Sequence, residues 1–271
     1  MRRLFNCIIG AFTLMAMACS NDGGGVTGGN NTENPTKQRL LHSVKITTEG
    51  WDDECCLTFK YDDLNRIVEF SDIWYGESVD HCALYVTYNS DGTILHRAYY
   101  NGESDESIVT TNIDGTIATV YDKDNDETYY YQYDSEKHLT AAFFDDNYDL
   151  YEWRDGNMVK VTSKWGYMDE DEKYVQHLRY NDVSNNKTNI DVNWIVVCLC
   201  DMFIPHPYDL HGTNSLFGQR NANYVVNVTD DWGKSTFDWT FDKYGCPTKC
   251  ILKEVYSESE EIITYTFEYL N

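Results

Sequence analysis

Basic side chains are scarce in this sequence. Lysine and arginine number 21 in 271 residues, against 45 aspartates and glutamates, for a net charge of −24 at pH 7. Binding to a phosphate backbone depends on clustered Lys and Arg, so a nucleic-acid partner is excluded. Attachment to anionic lipid by charge is excluded on the same ground. Acidity of this kind marks a solvated surface. Proline is scarce too, with four residues, and Pro205, Pro207 and Pro247 lie in loop-like stretches. No Gly-x-Ser-x-Gly elbow and no local Cys–His signature of nucleophilic catalysis occurs. Paired carboxylates are abundant, but none stands in an apolar setting that would raise a pKa. No catalytic residue and no cofactor is implied.

What is present is a repeated hairpin. Tyr88-Asn89-Ser90-Asp91-Gly92-Thr93-Ile94 reads as strand, tight turn, strand, and variants recur at 61–67, 111–117, 133–139, 152–158 and 241–247. A type I turn favours Asp, Asn or Ser first and Gly fourth, where positive φ follows. Asn89…Gly92, Asn112…Gly115 and Asp242…Gly245 fit fully. Asp62…Asn65 substitutes the next-best left-handed residue, Asp134…Lys137 lacks the Gly, and Trp153…Gly156 lacks the Asx. Between positions 61, 88, 111, 133 and 152 the steps are 27, 23, 22 and 19, near-regular as in repeated supersecondary units. The order aromatic, Asx, two variable residues, Gly, one variable, aliphatic predicts hairpins laid side by side. The 22 tyrosines are expected mainly to pack hairpins together with a polar tip at the rim.

The chain divides into three parts. Residues 1–18 read as a lipoprotein signal peptide: Arg2 and Arg3 are a basic n-region, 4–18 are apolar but too short to span and stay, and small residues precede Cys19. In that reading Cys19 is lipidated and anchors the chain to a membrane. Residues 19–39 are a flexible tether rich in Gly and Asn. Residues 40–271 are expected to form a single all-β domain, an antiparallel meander closing into a barrel-like sheet. Alternation is frequent: Leu84, Val86 and Tyr88 oppose Ala83, Tyr85 and Thr87, and Val159 and Val161 oppose Lys160, Thr162 and Lys164. Neither face of 173–181 or 249–256 is apolar throughout, as a lipid-facing strand would need to be.

One region breaks the pattern. The apolar run 192–203 suits a buried helix, stopped by Pro205 and Pro207. The insertion near 192–220 is expected to cap one end of the sheet. Trp194, His206, His211, Phe217 and Arg220 are the candidate ligand region there. Cys198 and Cys200 with His206 and His211 match no tight zinc spacing. Asp122-x-Asp124-x-Asp126 lacks the Gly and terminal Glu of a calcium loop. No metal site is expected from either. Once Cys7 leaves with the signal and Cys19 takes lipid, seven cysteines remain, an odd number, and their connectivity cannot be deduced.

Tyr180, the segment Asn186-Lys187-Thr188-Asn189-Ile190-Asp191, the apolar run after it and Leu216-Phe217-Gly218-Gln219-Arg220 together resemble an uncharacterised bacterial lipoprotein family. That family is described as a domain of unknown function with a porin-like fold. The hairpins also resemble tyrosine–aspartate repeat proteins. Gln219 and 221–223 are less basic than the family pattern. The resemblance implies a barrel-like meander, a lipid anchor and no assigned activity. The expectation is a non-catalytic binding or scaffolding protein on the outer membrane or cell surface of a Gram-negative bacterium, with an extracellular glycan or protein as its ligand. The alternative is a glycan-acting hydrolase using paired carboxylates.

Overall fold

The computed structural model describes residues 38–52, 54–75, 79–100, 103–165, 172–198, 218–256 and 259–270. Among them the strands are β1 (Leu41–Thr48), β2 (Glu54–Tyr61), β3 (Ile67–Tyr75), β4 (Val79–Tyr88), β5 (Ile94–Tyr100), β6 (Glu103–Thr111), β7 (Ile117–Asp122) and β8 (Glu127–Tyr133). They continue as β9 (Leu139–Phe144), β10 (Asn147–Arg154), β11 (Asn157–Lys164), β12 (Tyr174–Ser184), β13 (Asn223–Thr229), β14 (Gly233–Phe241), β15 (Pro247–Tyr256) and β16 (Ser259–Tyr269). One helix, α1 (Val192–Cys198), lies between β12 and β13. Each strand pairs with its sequence neighbours, and β16 pairs with β1, so the antiparallel meander closes into a barrel.

The repeated turns lie together at one end of this barrel and behave as their residues dictate. Gly92, Gly115 and Gly245 have φ of 86°, 87° and 81°. Asp62 Oδ1 accepts the backbone N–H groups of Leu64 and Arg66, and Asp242 Oδ1 those of Tyr244 and Cys246. Asp134 does the same for Glu136 and His138. That holds the turn even though Lys137 carries the left-handed position, at φ 68°. The Trp153…Gly156 variant is a different turn. Asp155 and Gly156 both have positive φ, 52° and 72°, between the paired residues Arg154 and Asn157. Two positive angles in a two-residue loop is the hairpin geometry that Asp-Gly favours.

Six aromatics toward the turn end of the even-numbered strands, two of them repeat openers, each have a specific partner. Tyr88 donates its hydroxyl to the Ile67 carbonyl at 2.8 Å, Tyr61 to Leu41 at 2.6 Å, Tyr180 to Met158 at 2.8 Å and Tyr269 to Pro247 at 2.7 Å. Trp153 Nε1 donates to Leu139 at 2.7 Å and Trp239 Nε1 to Val225 at 2.6 Å. Each ring packs inward and ties its polar tip to the start of a strand in the preceding hairpin. Such a bond contributes about 0.5–1.5 kcal/mol beyond the ring's burial.

Inward faces are apolar over most of the wall. Val44, Leu57, Leu84, Ile94, Val109, Ile117, Leu139, Met158, Tyr265 and Phe267 belong to one buried cluster that also contains the helix residues. Outward faces carry charge. Cross-strand ion pairs join Lys60 to Glu69 at 2.6 Å, Lys160 to Glu152 at 2.6 Å and Lys253 to Glu260 at 2.7 Å, and Lys45 to Glu54 and Arg97 to Glu106 likewise. Exposed apolar residues such as Tyr85, Tyr130, Leu150 and Val255 are interspersed among them. One alternation departs from the sequence pattern. Glu152 pairs with Lys160 but Trp153 pairs with Met158, so Val159 is the extra residue of a bulge. Met158 and Val161 are buried while Val159 is not, and the expected Val159–Val161 face is broken there.

Candidate functional site

The excursion between β12 and β13 closes the turn end of the barrel. Residues 185–191 run beside the start of β1: Arg39 N donates to Lys187 O at 2.9 Å, Asn189 N to Arg39 O at 3.0 Å, and Leu41 N to Asn189 Oδ1 at 2.9 Å. The return segment is held by two hairpin turns, with Gln219 N on Lys137 O and Ala222 N on Gly156 O, both at 2.9 Å. Gly218 passes so close that a Cβ there would lie 1.9 Å from Lys137 O.

Asp191 is the hub of this closure. Its carboxylate accepts Asn185 Nδ2 at 2.6 Å, the backbone N–H of Asn193 at 3.1 Å and that of Asn221 at 3.2 Å. The Asn193 bond makes Asp191 the N-cap of α1. The run 192–198 is rich in Val and Ile, yet it is helical because it is capped and because buried surroundings meet it on every side. Burial pushes the Asp191 carboxyl up, opposed first by the Arg220 cation and then by its hydrogen-bond donors. Asn193 bonds β13 with both ends of its amide, Nδ2 to Asn223 O at 2.8 Å and Oδ1 from Val225 N at 2.9 Å.

Two residues of the expected ligand region fall within the described residues, and both serve this closure. Trp194 is buried in α1. Arg220 donates to the carbonyls of Thr188 at 2.8 Å and Asn189 at 3.1 Å, clamping the family-like segment 186–191. His206, His211 and Phe217 lie outside the described residues, as do Cys19 and residues 199–203 of the expected helix. Cys55, Cys56, Cys82, Cys246 and Cys250 are free thiols. Burial and the nearby Asp72 push Cys82 up to about 12. Asp122 caps its own loop, accepting Asp124 N at 2.9 Å and Asn125 N at 3.3 Å, and Asp126 accepts Tyr121 OH at 2.9 Å.

Toward the opposite end the inward positions turn polar. Asp72, His96, Ser107, Asp122, Ser163, Gln176, Ser235 and Glu254 are all buried. Asp149 faces the same way, and burial lifts its carboxyl to about 6 against a hydrogen bond from Ser163.

The outer wall carries a groove of about 750 Å³ across β10 to β13, lined by residues that include Arg154, Asn157, Lys160, His177, Arg179 and Asn181. Register places Glu152, Lys160, His177 and Thr229 in one row across four strands, with Arg179 one outward position further along β12. The wall is locally bent. β10–β11 shifts register at Glu152/Trp153, and β12–β13 shifts on both sides of Tyr180. Bulges bend and coil a strand, and here they make a concavity on a convex surface. Its floor is stiffened by Asn157 and Asn223, each bonding the other at 3.0 Å. Among the described residues Lys160 is paired with Glu152, whereas Arg154, His177 and Arg179 make no ion pair. Sequence reasoning did not assemble this site. Its one available signal was the shared phase of His177 and Arg179 on β12.

The chain matches no family model and no curated protein. It is similar in structure to a porin-like protein from Bacteroides uniformis ATCC 8492, with 13% identity, a TM-score of 0.62, and coverage of 87% of this chain and 99% of that one. A porin-like protein from Bacteroides vulgatus ATCC 8482 is 12% identical at a TM-score of 0.39, covering 86% and 99%. The first likeness shows a porin-like barrel fold.

Proposed function

We propose that the chain is a lipid-anchored cell-envelope protein of a Gram-negative bacterium, a non-catalytic binding or scaffolding module whose barrel stands in water and forms no pore. The observation that carries this reading is the outer wall. Lys45, Lys60, Arg97, Lys160 and Lys253 point outward in ion pairs from within their strands. A Lys or Arg facing lipid at mid-depth costs roughly 2–4 kcal/mol. Wetting that wall and filling the interior with the apolar cluster is the cheaper arrangement. Membrane attachment then falls to Cys19 through several acyl chains, because one chain binds only weakly. The tether of residues 19–39 sets the barrel free of the bilayer surface. A glycan-acting hydrolase is the alternative, and the carboxylates it would draw on are Asp105, raised by burial and by the nearby Asp124 and Asp122, and Asp149, whose partner is a serine hydroxyl. Metabolic labelling with radioactive palmitate tests the anchor. The expected result is label on the native chain and none on Cys19→Ala; label persisting on that variant would overturn the reading.

A further inference from the structure

We propose that the outer groove over β10 to β13 binds a short, carboxylate-bearing oligosaccharide. The chain has a large acidic excess, and most of its described arginines are spent on internal partners: Arg39 on Asp242, Arg66 on Asp62, Arg97 on Glu106 and Arg220 on backbone carbonyls. The two with neither an ion pair nor a bonded carbonyl among the described residues, Arg154 and Arg179, line the same groove, together with His177, which makes no ion pair there either. Both arginines are exposed. A guanidinium left without a carboxylate, on a surface rich in carboxylates, is available to one brought by a ligand, and the pairing can be bidentate.

The remaining chemistry selects the ligand class. Asn181 and Thr229 add an amide and a hydroxyl beside the cations, and of the two carboxylates in the lining Glu152 is held by Lys160 while Asp155 sits at the turn, which suits a molecule that carries hydroxyls beside its acids. β10 and β12 lie two strands apart, about 10 Å at ordinary strand spacing. That spacing leaves room for Arg154 and Arg179 to meet two anionic groups of one ligand, and a single phosphate would leave most of the groove of about 750 Å³ empty. An acidic peptide lacks a docking mode, because a closed barrel offers no strand edge to extend. A long polyanion would meet the acidic remainder of the surface, so the ligand is short.

The test is calorimetric titration of the full-length chain in detergent micelles at low ionic strength, with trigalacturonate as the probe. Neutral maltotriose and inorganic phosphate are the comparators. The expected result is trigalacturonate binding that weakens as salt is added, with both comparators at least about tenfold weaker. Replacing both guanidiniums in R154Q/R179Q should weaken trigalacturonate about tenfold or more, with an unchanged melting temperature. The control K249Q, outside the groove, should bind as the native chain does. Failure of trigalacturonate to bind, equal affinity in R154Q/R179Q, or phosphate binding as tightly as the trisaccharide would each overturn the proposal. Cys19→Ala should bind equally well, so the groove and the anchor stand or fall separately.

Discussion

Replacing Asp191 by alanine removes the acceptor on which the closed end converges. Asn193 N at 3.1 Å and Asn221 N at 3.2 Å lose their acceptor, and Asn185 Nδ2 at 2.6 Å loses one of two, keeping Asn221 O at 3.1 Å. A buried donor left unsatisfied costs about 1–3 kcal/mol. Deleting the carboxylate also relieves its own burial penalty, the cause that pushes its pKa up. The net expectation is about 3–5 kcal/mol, in the range for breaking a buried charged network from one side. Asp191→Asn keeps one acceptor oxygen but turns an N–H2 toward a donor, so it should cost less, about 1–3 kcal/mol. Urea unfolding followed by circular dichroism measures this. At a slope of about 3 kcal/mol per molar, the alanine midpoint should fall by about 1–1.7 M. Hydrogen exchange at the Asn193 and Asn221 amides should accelerate in step. A midpoint within about 0.3 M of the native chain, or Asn costing more than Ala, would refute the reasoning.

Three further outcomes follow from the same geometry. Gly218→Ala should lower the melting temperature well beyond Gly92→Ala. The first drives a Cβ to 1.9 Å from Lys137 O, whereas the second meets nothing within 4 Å; the second keeps only the left-handed backbone cost of about 1–2 kcal/mol. Tyr88→Phe should cost about 0.5–1.5 kcal/mol for its lost bond to Ile67 O, while Tyr85→Phe on the outer wall should be silent. Asp149 is lifted from 3.8 to about 6, so the folded state holds its proton more tightly than the unfolded chain does. Stability should therefore fall as pH rises from about 4 to about 6. The loss is at most about 3 kcal/mol, reduced because the residue keeps partial exposure. Asp149→Asn should remove its share of that slope, leaving what Asp191 and Asp105 contribute, and be the more stable protein at pH 7; an unchanged slope in melts across this range would contradict it.

The fold was legible where a local rule repeats. An Asx three residues before a left-handed position set five turns, with Asp155-Gly156 making a sixth of another type, and because those turns share one end, the spacing also oriented the hairpins. The apolar run after Asp191 marked the helix. The closure of β16 onto β1 is a long-range pairing that no local signal carries. The bulge at Val159 was invisible for a similar reason, since one extra residue flips the phase of a strand without changing its composition. The groove was hidden because it is an outward face. Arg154, His177 and Arg179 read as ordinary wetted positions until the bulges bend the wall beneath them. Of the expected ligand region, Trp194 packs in the core and Arg220 clamps carbonyls, roles in the closure that their residue types alone did not announce.

The central claim is that the charged outer wall stands in water. The most direct measurement is sedimentation velocity on the chain shortened by residues 1–19, purified and run without detergent. A discrete soluble species with the circular dichroism of a sheet-dominated fold is the expected result. A chain that pellets without detergent and regains its sheet spectrum only in micelles would contradict the claim, and would mean that the paired lysines and arginines of the outer wall do not face solvent.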